Sequence, residues 1–308
     1  MKELTIRPKK LEHFIGKDQI KESLNIYIKS SQKQNKQLEH VLLYGSPGVG
    51  KTSLATIIAN ELQANIHYIQ GPSIELISDV LDLFSMINEG DIIFIDEAHK
   101  INHKCMEMFY SILEDFVIDI KVGKEFNSQY SRLAVAKFTL ICSTTDMGKL
   151  PIPFIDRFGI KFFIDFYEIK ELITLLSSVV KNNNLNLSDN EIAFIAEHSK
   201  GTPRIALNLL NRYYDHKLVD IKKSKEEIFK SIGIFKHGLS EMDLNYLKIL
   251  NLNNDHSVGI KSISQQLFIN EKTIEHIIEP YLLKLGLIVK KSNGRLLTTT
   301  GKDYLASV

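Results

Sequence analysis

A glycine-rich segment between an apolar run and a helical run constrains the fold of this chain more than any other part. Residues 45–52 read Gly-Ser-Pro-Gly-Val-Gly-Lys-Thr and fit the phosphate-binding loop pattern G-x-x-x-x-G-K-[ST]. The apolar run Val41–Tyr44 predicts a strand before the loop, and Thr52–Leu62 predicts a helix after it. In this setting backbone N–H groups can wrap a polyphosphate at the N-terminus of the helix. The alternative, a chance glycine-rich turn, is disfavoured by the flanking strand and helix.

The loop pattern assigns nucleotide contacts to particular residues. Lys51 is expected to reach the β- and γ-phosphates of ATP, and the Thr52 hydroxyl is expected to hold Mg²⁺. Backbone N–H groups of the loop supply the remaining phosphate contacts. The loop residues predicted to bind the nucleotide in this way are Gly45, Gly48, Val49 and Gly50.

A second apolar run ends in two acidic residues. Ile92–Ile95 is followed by Asp96 and Glu97, and a continuous apolar run suits a strand buried on both faces of a parallel sheet. Acids at the C-terminal end of such a strand lie where α/β sheets bind ligands. We expect Asp96 to bind Mg²⁺ through water, and Glu97 to orient or deprotonate the attacking water. Two acids after a strand usually cap a helix, but the loop upstream favours nucleotide hydrolysis.

Composition limits the class of protein. The chain has 308 residues, of which 44% are hydrophobic and 24% charged, as in soluble globular proteins of two or three domains. No apolar run predicts a membrane span, and the N-terminal segment lacks the apolar stretch of a secretory signal. The two cysteines, Cys105 and Cys142, are too few for a disulfide framework, which fits a reducing cytoplasm. The net charge of +1 gives no global argument for a nucleic-acid partner.

The pattern of elements predicts three domains. Residues 1–166 alternate strand-like and helix-like segments, which predicts a doubly wound α/β domain. Residues 167–236 lack strand signals and predict a small helical domain, and residues 237–308 predict two helices followed by two short strands. The predicted segments of the first domain are Val41–Tyr44, Thr52–Leu62, Asn65–Ile69, Ser73–Ile87, Asp91–Ile95, His103–Phe116, Phe138–Ser143 and Lys161–Phe166.

Boundary residues predict where the helices of the second domain begin and end. Ser188 and Glu191 form a capping box for a helix that runs to Lys200. Gly201 is expected to end that helix, and Pro203 lies in the first turn of the next one.

Three further positions are candidates for contact with a nucleotide. The predicted strand Phe138–Ser143 leads into Thr144 and Thr145, whose hydroxyls could contact the γ-phosphate or the attacking water, although strand-end threonines often only form turns. Arg157 lies in Asp-Arg-Phe-Gly, and a lone surface arginine is normally a solvated charge. Arg204 lies in the first turn of a helix, where the helix dipole disfavours a cation. A nucleotide phosphate is therefore a candidate partner for Arg204.

The C-terminal segment carries the argument for DNA. The helices predicted at Ile260–Gln266 and Glu271–Leu285 suit a helix-turn-helix, and Val289–Thr298 suits a two-stranded wing with an Asn-Gly turn. A basic wing contacts phosphates without reading sequence, whereas a winged helix can also be a protein-docking module. Residues 281–308 contain one acidic residue, Asp303, and five basic residues. The basic residues are Lys284, Lys290, Lys291, Arg295 and Lys302.

Taken in order, these motifs resemble the AAA+ ATPases, and more closely the RuvB family of bacterial Holliday-junction branch-migration motors. The resemblance spans nearly the whole chain. The run Ile278–Leu283, Ile-Glu-Pro-Tyr-Leu-Leu, is specific to the RuvB family among AAA+ proteins. The other matching segments are residues 7–9, 14–16, 42–45, 94–97, 113–116, 156–160, 166–167, 201–206 and 273–275.

The resemblance implies a role for each matching residue. Arg157 would be an arginine finger that reaches the ATP of the neighbouring subunit, and Arg204 would be sensor 2. Thr145, with Thr144 as the alternative, would be sensor 1. The implied phosphate and Mg²⁺ ligands are Lys51, Thr52 and Ser53, with Asp96 and Glu97 as the Walker B acids. The implied adenine pocket is Ile6, Arg7, Tyr167 and Pro203, the further nucleotide-binding residues are Glu114, Asp115 and Phe116, and the implied contacts to DNA phosphates are Lys290 and Arg295.

The resemblance also implies partners. It predicts a homo-hexameric ring on duplex DNA and Holliday junctions, acting in the cytoplasm with RuvA and, in the resolving complex, with RuvC. A hairpin within residues 117–137 would dock onto RuvA, and its first arm alternates Ile118, Ile120 and Val122 as a strand does. The alternative for this segment is a solvated loop.

Three positions depart from the pattern of the RuvB family. Ser46 replaces one of the two prolines of the loop, Asp146 replaces an arginine after the sensor threonines, and Ile155 replaces an arginine two residues before the finger.

The ATPase motifs also suit two other functions. A replication-initiator or clamp-loader AAA+ protein is disfavoured by the Ile278–Leu283 run and the hairpin. An ATP-switched scaffold that does not hydrolyse ATP is disfavoured because Glu97 and Arg157 are both present.

Overall fold

The computed structural model describes residues 8–122, 129–220, 222–253 and 256–307. The described residues form two compact units, one ending at Tyr167 and the other beginning at Glu168. Within those described ranges, no helix combines the length and the hydropathy needed to cross a membrane.

A five-stranded parallel sheet forms the centre of the first unit and confirms the predicted α/β class. Its strands are β1 (Val41–Tyr44), β2 (Ile66–Gln70), β3 (Ile92–Asp96), β6 (Thr139–Thr144) and β7 (Ile160–Phe163). They are arranged in the order β2-β3-β6-β1-β7. Because every neighbouring pair is parallel, the C-terminal ends of β1, β6 and β3 meet at one edge of the sheet.

The helices of this unit pack on the sheet. Leu42 of β1 belongs to a buried apolar cluster with side chains of α3 and α4, while its fully buried neighbours Val41 and Leu43 point to the opposite face. α2 contacts β3 and β6. The helices are α1 (Asp18–Gln34), α2 (Lys51–Leu62), α3 (Ile77–Ser85), α4 (His103–Asp115) and α5 (Ile152–Asp156).

The predicted hairpin is present between α4 and β6. β4 (Val117–Val122) pairs with the antiparallel β5 (Gln129–Ala134), and Arg132 bonds Asp119 across the pair at 2.9 Å. The intervening residues 123–128, part of the segment predicted to dock onto RuvA, lie outside the described residues.

Several predicted boundaries were wrong by a few residues. The segment predicted as one helix at Ser73–Ile87 is a 3₁₀ turn at Gly71–Ser73 followed by α3, because a turn at Gly71-Pro72 precedes the amphipathic run. The strand predicted at Lys161–Phe166 is β7, which ends at Phe163. The helix predicted to reach Lys200 ends at Glu197, because the chain leaves the helix through two residues with positive φ, Lys200 and Gly201.

Two subdomains make up the second unit. The first is a bundle of four helices, α6 (Ile169–Asn182), α7 (Asp189–Glu197), α8 (Pro203–Val219) and α9 (Lys225–Ser231). The predicted Ser188–Glu191 capping box is present at the start of α7.

The second subdomain is a winged helix with its own apolar core. The helix predicted at Glu271–Leu285 has three consecutive parts. They are α12 (Glu271–Thr273), a π-helical turn at Ile274–Ile278, and α13 (Glu279–Lys284). Pro280 lacks the N–H that would continue the α-helical pattern to residue 276, which accounts for this irregularity. The other elements are α10 (Glu241–Leu252), α11 (Ile260–Leu267), β8 (Ile288–Lys291), β9 (Gly294–Leu297) and α14 (Thr299–Ser307).

The helical bundle and the winged helix are joined at the turn between α7 and α8. Lys200 Nζ lies 2.5 Å from Asp243 Oδ2 at the start of α10, and 5.9 Å from the centre of the Tyr281 ring. Gly238 packs so closely on His198 that a Cβ at 238 would lie 2.1 Å from the His198 carbonyl oxygen. Tyr304 of α14 donates to the Lys236 carbonyl at 2.6 Å.

Candidate active site

The glycine-rich loop connects β1 to α2, as the sequence predicts. Gly45 and Gly50 have φ of 145° and 101°, values that residues with a side chain rarely adopt. A Cβ at Gly45 would also lie 2.2 Å from the Ile164 carbonyl oxygen. The loop therefore turns tightly enough to deliver its N–H groups and the N-terminus of α2 to one place, which is the geometry of a polyphosphate cradle.

Lys51 and Thr52 occupy the first turn of α2. Lys51 is 6% exposed, and its Nζ donates to the carbonyls of Gly45 and Ser46 at 2.8 and 2.9 Å. Its ammonium group thus lies within the loop, while Thr52 and Ser53 are partly exposed and Val49 is fully buried.

Phe14 and Tyr167 flank the loop. A Cβ at Gly50 would lie 3.4 Å from the Phe14 ring and 3.7 Å from the Tyr167 hydroxyl. Lys17 lies 4.4 Å above the Tyr167 ring and donates to the Phe166 carbonyl at 2.8 Å. The structure therefore places Tyr167 beside the loop, and it adds Phe14, which was not among the predicted site residues.

Asp96 and Glu97 follow one another at the end of β3 but have different environments. Asp96 Oδ1 accepts hydrogen bonds from the Ser143 hydroxyl and from the Glu97 N–H. Glu97 has a left-handed backbone conformation, φ 54° and ψ 46°. Gly71 packs against it, and a Cβ at Gly71 would lie 2.3 Å from the Glu97 carbonyl oxygen.

The two candidate sensor threonines make different contacts. Thr145 donates to Glu97 Oε2 at 3.1 Å. The Thr144 hydroxyl instead lies 3.0 Å from His99 Nδ1 and accepts from the Asp146 N–H at 3.0 Å. Contact with the acid therefore supports Thr145 as sensor 1.

His99 was not predicted as a site residue, yet it connects the C-terminal ends of β3 and β6. Its Nε2 lies 3.5 Å from Glu97 Oε2, and its side chain is 8% exposed. Burial lowers the pKa of His99 below its ordinary value, so the neutral ring is favoured. The available signal was its place in Asp-Glu-Ala-His, directly after the buried strand.

Arg157 follows α5 and pairs with residues of its own chain. Its Nη2 lies 2.6 Å from Glu114 Oε2, its Nη1 donates to the Pro153 carbonyl at 3.3 Å, and the guanidinium lies 5.8 Å from the Tyr110 ring. In the described part of the chain, these contacts join Arg157 to α4 and α5 rather than to the phosphate-binding loop. Its described partners are thus Glu114, Pro153 and Tyr110.

The remaining predicted nucleotide ligands lie in other elements or outside the described residues. Asp115 ends α4, and the Phe116 ring packs on His40 and Phe138 instead. Pro203 is the first residue of α8, and Arg204 beside it is exposed. Ile6 and Arg7 lie outside the described residues.

The structure does not present Arg295 of the wing as a free cation. The Arg295 side chain is 12% exposed, with its Nε 2.7 Å from Glu279 and its Nη2 3.1 Å from Glu275. Lys290 Nζ also lies 2.6 Å from Glu279, but its side chain is 42% exposed. Contact of Lys290 and Arg295 with DNA phosphates stays a prediction, and sequence alone did not reveal the carboxylate that both side chains contact.

A phosphate-binding loop, two acids and a strand-end threonine at one edge of this sheet, followed by a helical lid, define an ATPase of the AAA+ class. Three family models match the chain. They are described as the Holliday junction DNA helicase RuvB P-loop domain (residues 6–164), the RuvB AAA lid domain (167–237) and the RuvB C-terminal winged helix domain (236–306). The chain belongs to the RuvB family.

Individual relatives are similar over nearly their whole length. The chain is 43% identical to the Holliday junction branch migration complex subunit RuvB of Mycoplasma genitalium, covering 97% of each protein. It is also 43% identical to the RuvB subunit of Ureaplasma urealyticum, covering 97% of this chain and 96% of the relative. A solved structure of Thermotoga maritima RuvB, described as a Holliday junction branch migration motor, superposes with a TM-score of 0.86 at 34% identity, covering 97% of this chain and 98% of that one.

Proposed function

We propose that this chain is an ATP-driven motor that translocates DNA and moves the branch point of Holliday junctions. The observation that carries the proposal is the meeting of the phosphate-binding loop, Glu97 and Thr145 at one edge of the sheet, in a chain of the RuvB family that also contains a winged helix. The two acids and the polar strand end are what hydrolysis requires, which disfavours a scaffold that only binds ATP.

ATP is the proposed substrate, and each residue has a proposed part. The loop and Lys51 bind the phosphates, Glu97 accepts a proton from the attacking water, and Thr145 orients Glu97. The hydroxyl of Thr52 and the carboxylate of Asp96 are oxygen ligands of the kind that Mg²⁺ prefers, and Asp96 is held in place by Ser143. These two residues would hold a Mg²⁺ ion that neutralises phosphate charge.

The assembly and the partners belong to the same proposal. We infer a cytoplasmic homo-hexamer on duplex DNA, in which Arg157 acts on the ATP of the adjacent subunit. RuvA would dock onto the hairpin within residues 117–137, and RuvC would join the resolving complex. The nucleotide roles of Ile6, Arg7, Ser53, Glu114, Asp115, Phe116, Tyr167, Pro203 and Arg204 remain predictions, as does the division at residues 1–166, 167–236 and 237–308.

A synthetic four-way junction with homologous arms tests this function. With ATP, Mg²⁺ and RuvA present, we expect the wild-type chain to convert the junction into duplex products. Glu97→Gln should bind ATP within a few-fold of wild type but hydrolyse it roughly 10² to 10⁴ times more slowly, since a general base contributes about this factor, and it should not move the junction.

Glu89→Gln removes an exposed carboxylate from the same unit and is the matched control. A Glu97→Gln variant that hydrolyses ATP at the wild-type rate would show that Glu97 is not the base. A wild-type chain that hydrolyses ATP but leaves the junction unmoved would favour the loader-type alternative.

A further inference from the structure

A fully buried carboxylate lies beneath the wing. Glu279 is 0% exposed, yet it contacts three side chains from three different elements. Arg295 Nε of β9 lies 2.7 Å from its Oε1, Lys290 Nζ of β8 lies 2.6 Å from its Oε2, and the Tyr246 hydroxyl of α10 donates to Oε1 at 2.9 Å.

The sequence around Glu279 explains its burial. Ile274, Ile278 and Leu282 recur every four residues and form the buried face of this helix. Glu279 follows directly after Ile278, so its side chain is carried to the edge of the same core. Burial by itself raises the pKa of Glu279, but the hydrogen bonds from Arg295, Lys290 and Tyr246 outweigh it and hold the pKa below its ordinary value.

These contacts tie the wing to the helix-turn-helix. Lys290 and Arg295 are directly opposite one another in the β8–β9 pairing, so Glu279 binds both strands at the same level. Arg295 also exchanges backbone hydrogen bonds with Val258, at 2.8 and 2.9 Å, which brings the start of α11 to the same point. A buried carboxylate with this many donors is a strong geometric constraint, because its removal leaves cations without a partner.

We propose that Glu279 is a positioning residue for DNA binding: it does not touch DNA, but it holds the wing so that Lys290 and the adjacent Lys291 face the phosphate backbone. The inference rests on the proposed function, in which the wing contacts DNA. Lys290 can bind Glu279 and a DNA phosphate at the same time, because an ammonium group has three donors and the Lys290 side chain is 42% exposed.

Positioning and simple electrostatics predict effects of opposite sign. A carboxylate near DNA repels phosphate, so removing its charge should tighten binding if charge alone matters. If Glu279 positions the wing, removing its charge should weaken binding, because the wing lysines are then no longer fixed in place.

Duplex binding by the full chain separates these two effects. We expect Glu279→Gln to weaken binding to labelled duplexes of two unrelated sequences about tenfold and to the same extent for both, because phosphate contacts carry no sequence information. The plot of log affinity against log salt should become shallower by about one unit for each phosphate that the wing no longer binds. Glu275→Gln is the matched control, since it removes the same charge from the same arginine at a side chain that is 42% exposed; it should bind as tightly as wild type or slightly tighter.

Unfolding curves will show whether Glu279→Gln folds. If it does not fold, a second variant tests the same inference. Tyr246→Phe removes one hydrogen bond from Glu279 without changing charge, and it should weaken duplex binding by a smaller factor, about two- to fivefold for one hydrogen bond. Wild-type or tighter binding in a folded Glu279→Gln variant, or unchanged binding in Tyr246→Phe where Glu279→Gln does not fold, would overturn the positioning role.

A Lys290→Ala, Lys291→Ala double variant distinguishes failure of this inference from failure of the proposed function. If the double variant weakens binding while Glu279→Gln does not, only the positioning role is overturned. If the double variant binds duplex with unchanged affinity and salt slope, the wing does not bind DNA, and both proposals fall together.

Discussion

Glu97 adopts a backbone conformation that is unfavourable for a residue with a side chain. Left-handed φ and ψ cost roughly 1–2 kcal/mol outside glycine, so the surrounding structure must hold Glu97 in place. Gly71 permits this arrangement, because its missing side chain leaves room for the Glu97 carbonyl. The orientation of the proposed base therefore depends on a residue in the turn after a neighbouring strand.

A methyl group at position 71 tests this dependence. In Gly71→Ala the new Cβ would lie 2.3 Å from the Glu97 carbonyl oxygen, and the obstruction is backbone, so Glu97 must move. We expect ATP binding within a few-fold of wild type and at least a roughly tenfold loss in hydrolysis rate, as for a displaced general base.

Gly148→Ala is the control for this substitution. Its Cβ would make only an ordinary 3.7 Å contact with the Asp146 side chain. Equal hydrolysis rates in Gly71→Ala and wild type would contradict the steric argument.

Among the elements, those with strong periodicity or a motif were predictable. The strands at Val41–Tyr44 and Ile92–Ile95 are uninterrupted apolar runs, and the helix after the loop follows a known pattern, so each was predicted to within a residue. α1 was missed because its polar sequence has only a narrow apolar face, with Leu24 and Ile28 buried. Contacts such as Glu279 with Arg295, or Gly71 with Glu97, join segments distant in sequence, so no local pattern could reveal them.

His40 joins three elements of the first unit, which makes their packing sensitive to acid. Its Nε2 lies 3.2 Å from the Leu113 carbonyl of α4, and its Nδ1 accepts from the Leu140 N–H of β6 at 2.9 Å. Because Nδ1 accepts a hydrogen bond, the ring must be neutral in the folded state. Burial lowers the pKa of His40 to about 4.

This lowered pKa gives a pH dependence of known sign. The unfolded chain binds a proton at His40 near the ordinary pKa of about 6.5, while the folded chain does so only near 4. Stability should therefore be complete above about pH 6.5 and fall as the pH drops towards 4, by on the order of 3 kcal/mol from this residue.

Chemical denaturation at pH 7 and pH 4.5 measures the effect. His40→Gln keeps a donor and an acceptor but cannot be protonated, so its free energy of unfolding should fall less over this interval than that of wild type. The other histidines are common to both proteins and cancel in the comparison. An equal fall in both proteins would show that His40 does not cause the acid sensitivity.

For the whole molecule, the proposed role of Arg157 as an arginine finger predicts that hydrolysis requires two subunits. Arg157 pairs with Glu114 of its own chain, and arginine fingers supplied in trans are worth roughly 10³ to 10⁵ in rate. We expect Arg157→Ala to bind ATP but not hydrolyse it. Lys51→Ala should also be inactive, because its loop no longer binds the ATP phosphates properly. Mixing the two should restore activity, because an intact Arg157 then faces an intact loop at some interfaces.

The control for this mixing experiment is the double variant Lys51→Ala, Arg157→Ala. Mixed with Arg157→Ala, it supplies no intact finger, so activity should stay absent. Failure of the first mixture to recover at any ratio, with co-assembly shown by sedimentation, would exclude action in trans.

The junction of the helical bundle with the winged helix has a mechanical consequence. Lys200, paired with Asp243 and lying over Tyr281, precedes Arg204 by four residues. The close approach of Gly238 to His198 and the Tyr304 hydrogen bond hold the same boundary. In a body joined this way, a small rotation at the turn before Arg204 becomes a larger displacement at the wing, as at the far end of a lever. The displacement of the wing for a given rotation would then increase with its distance from this turn.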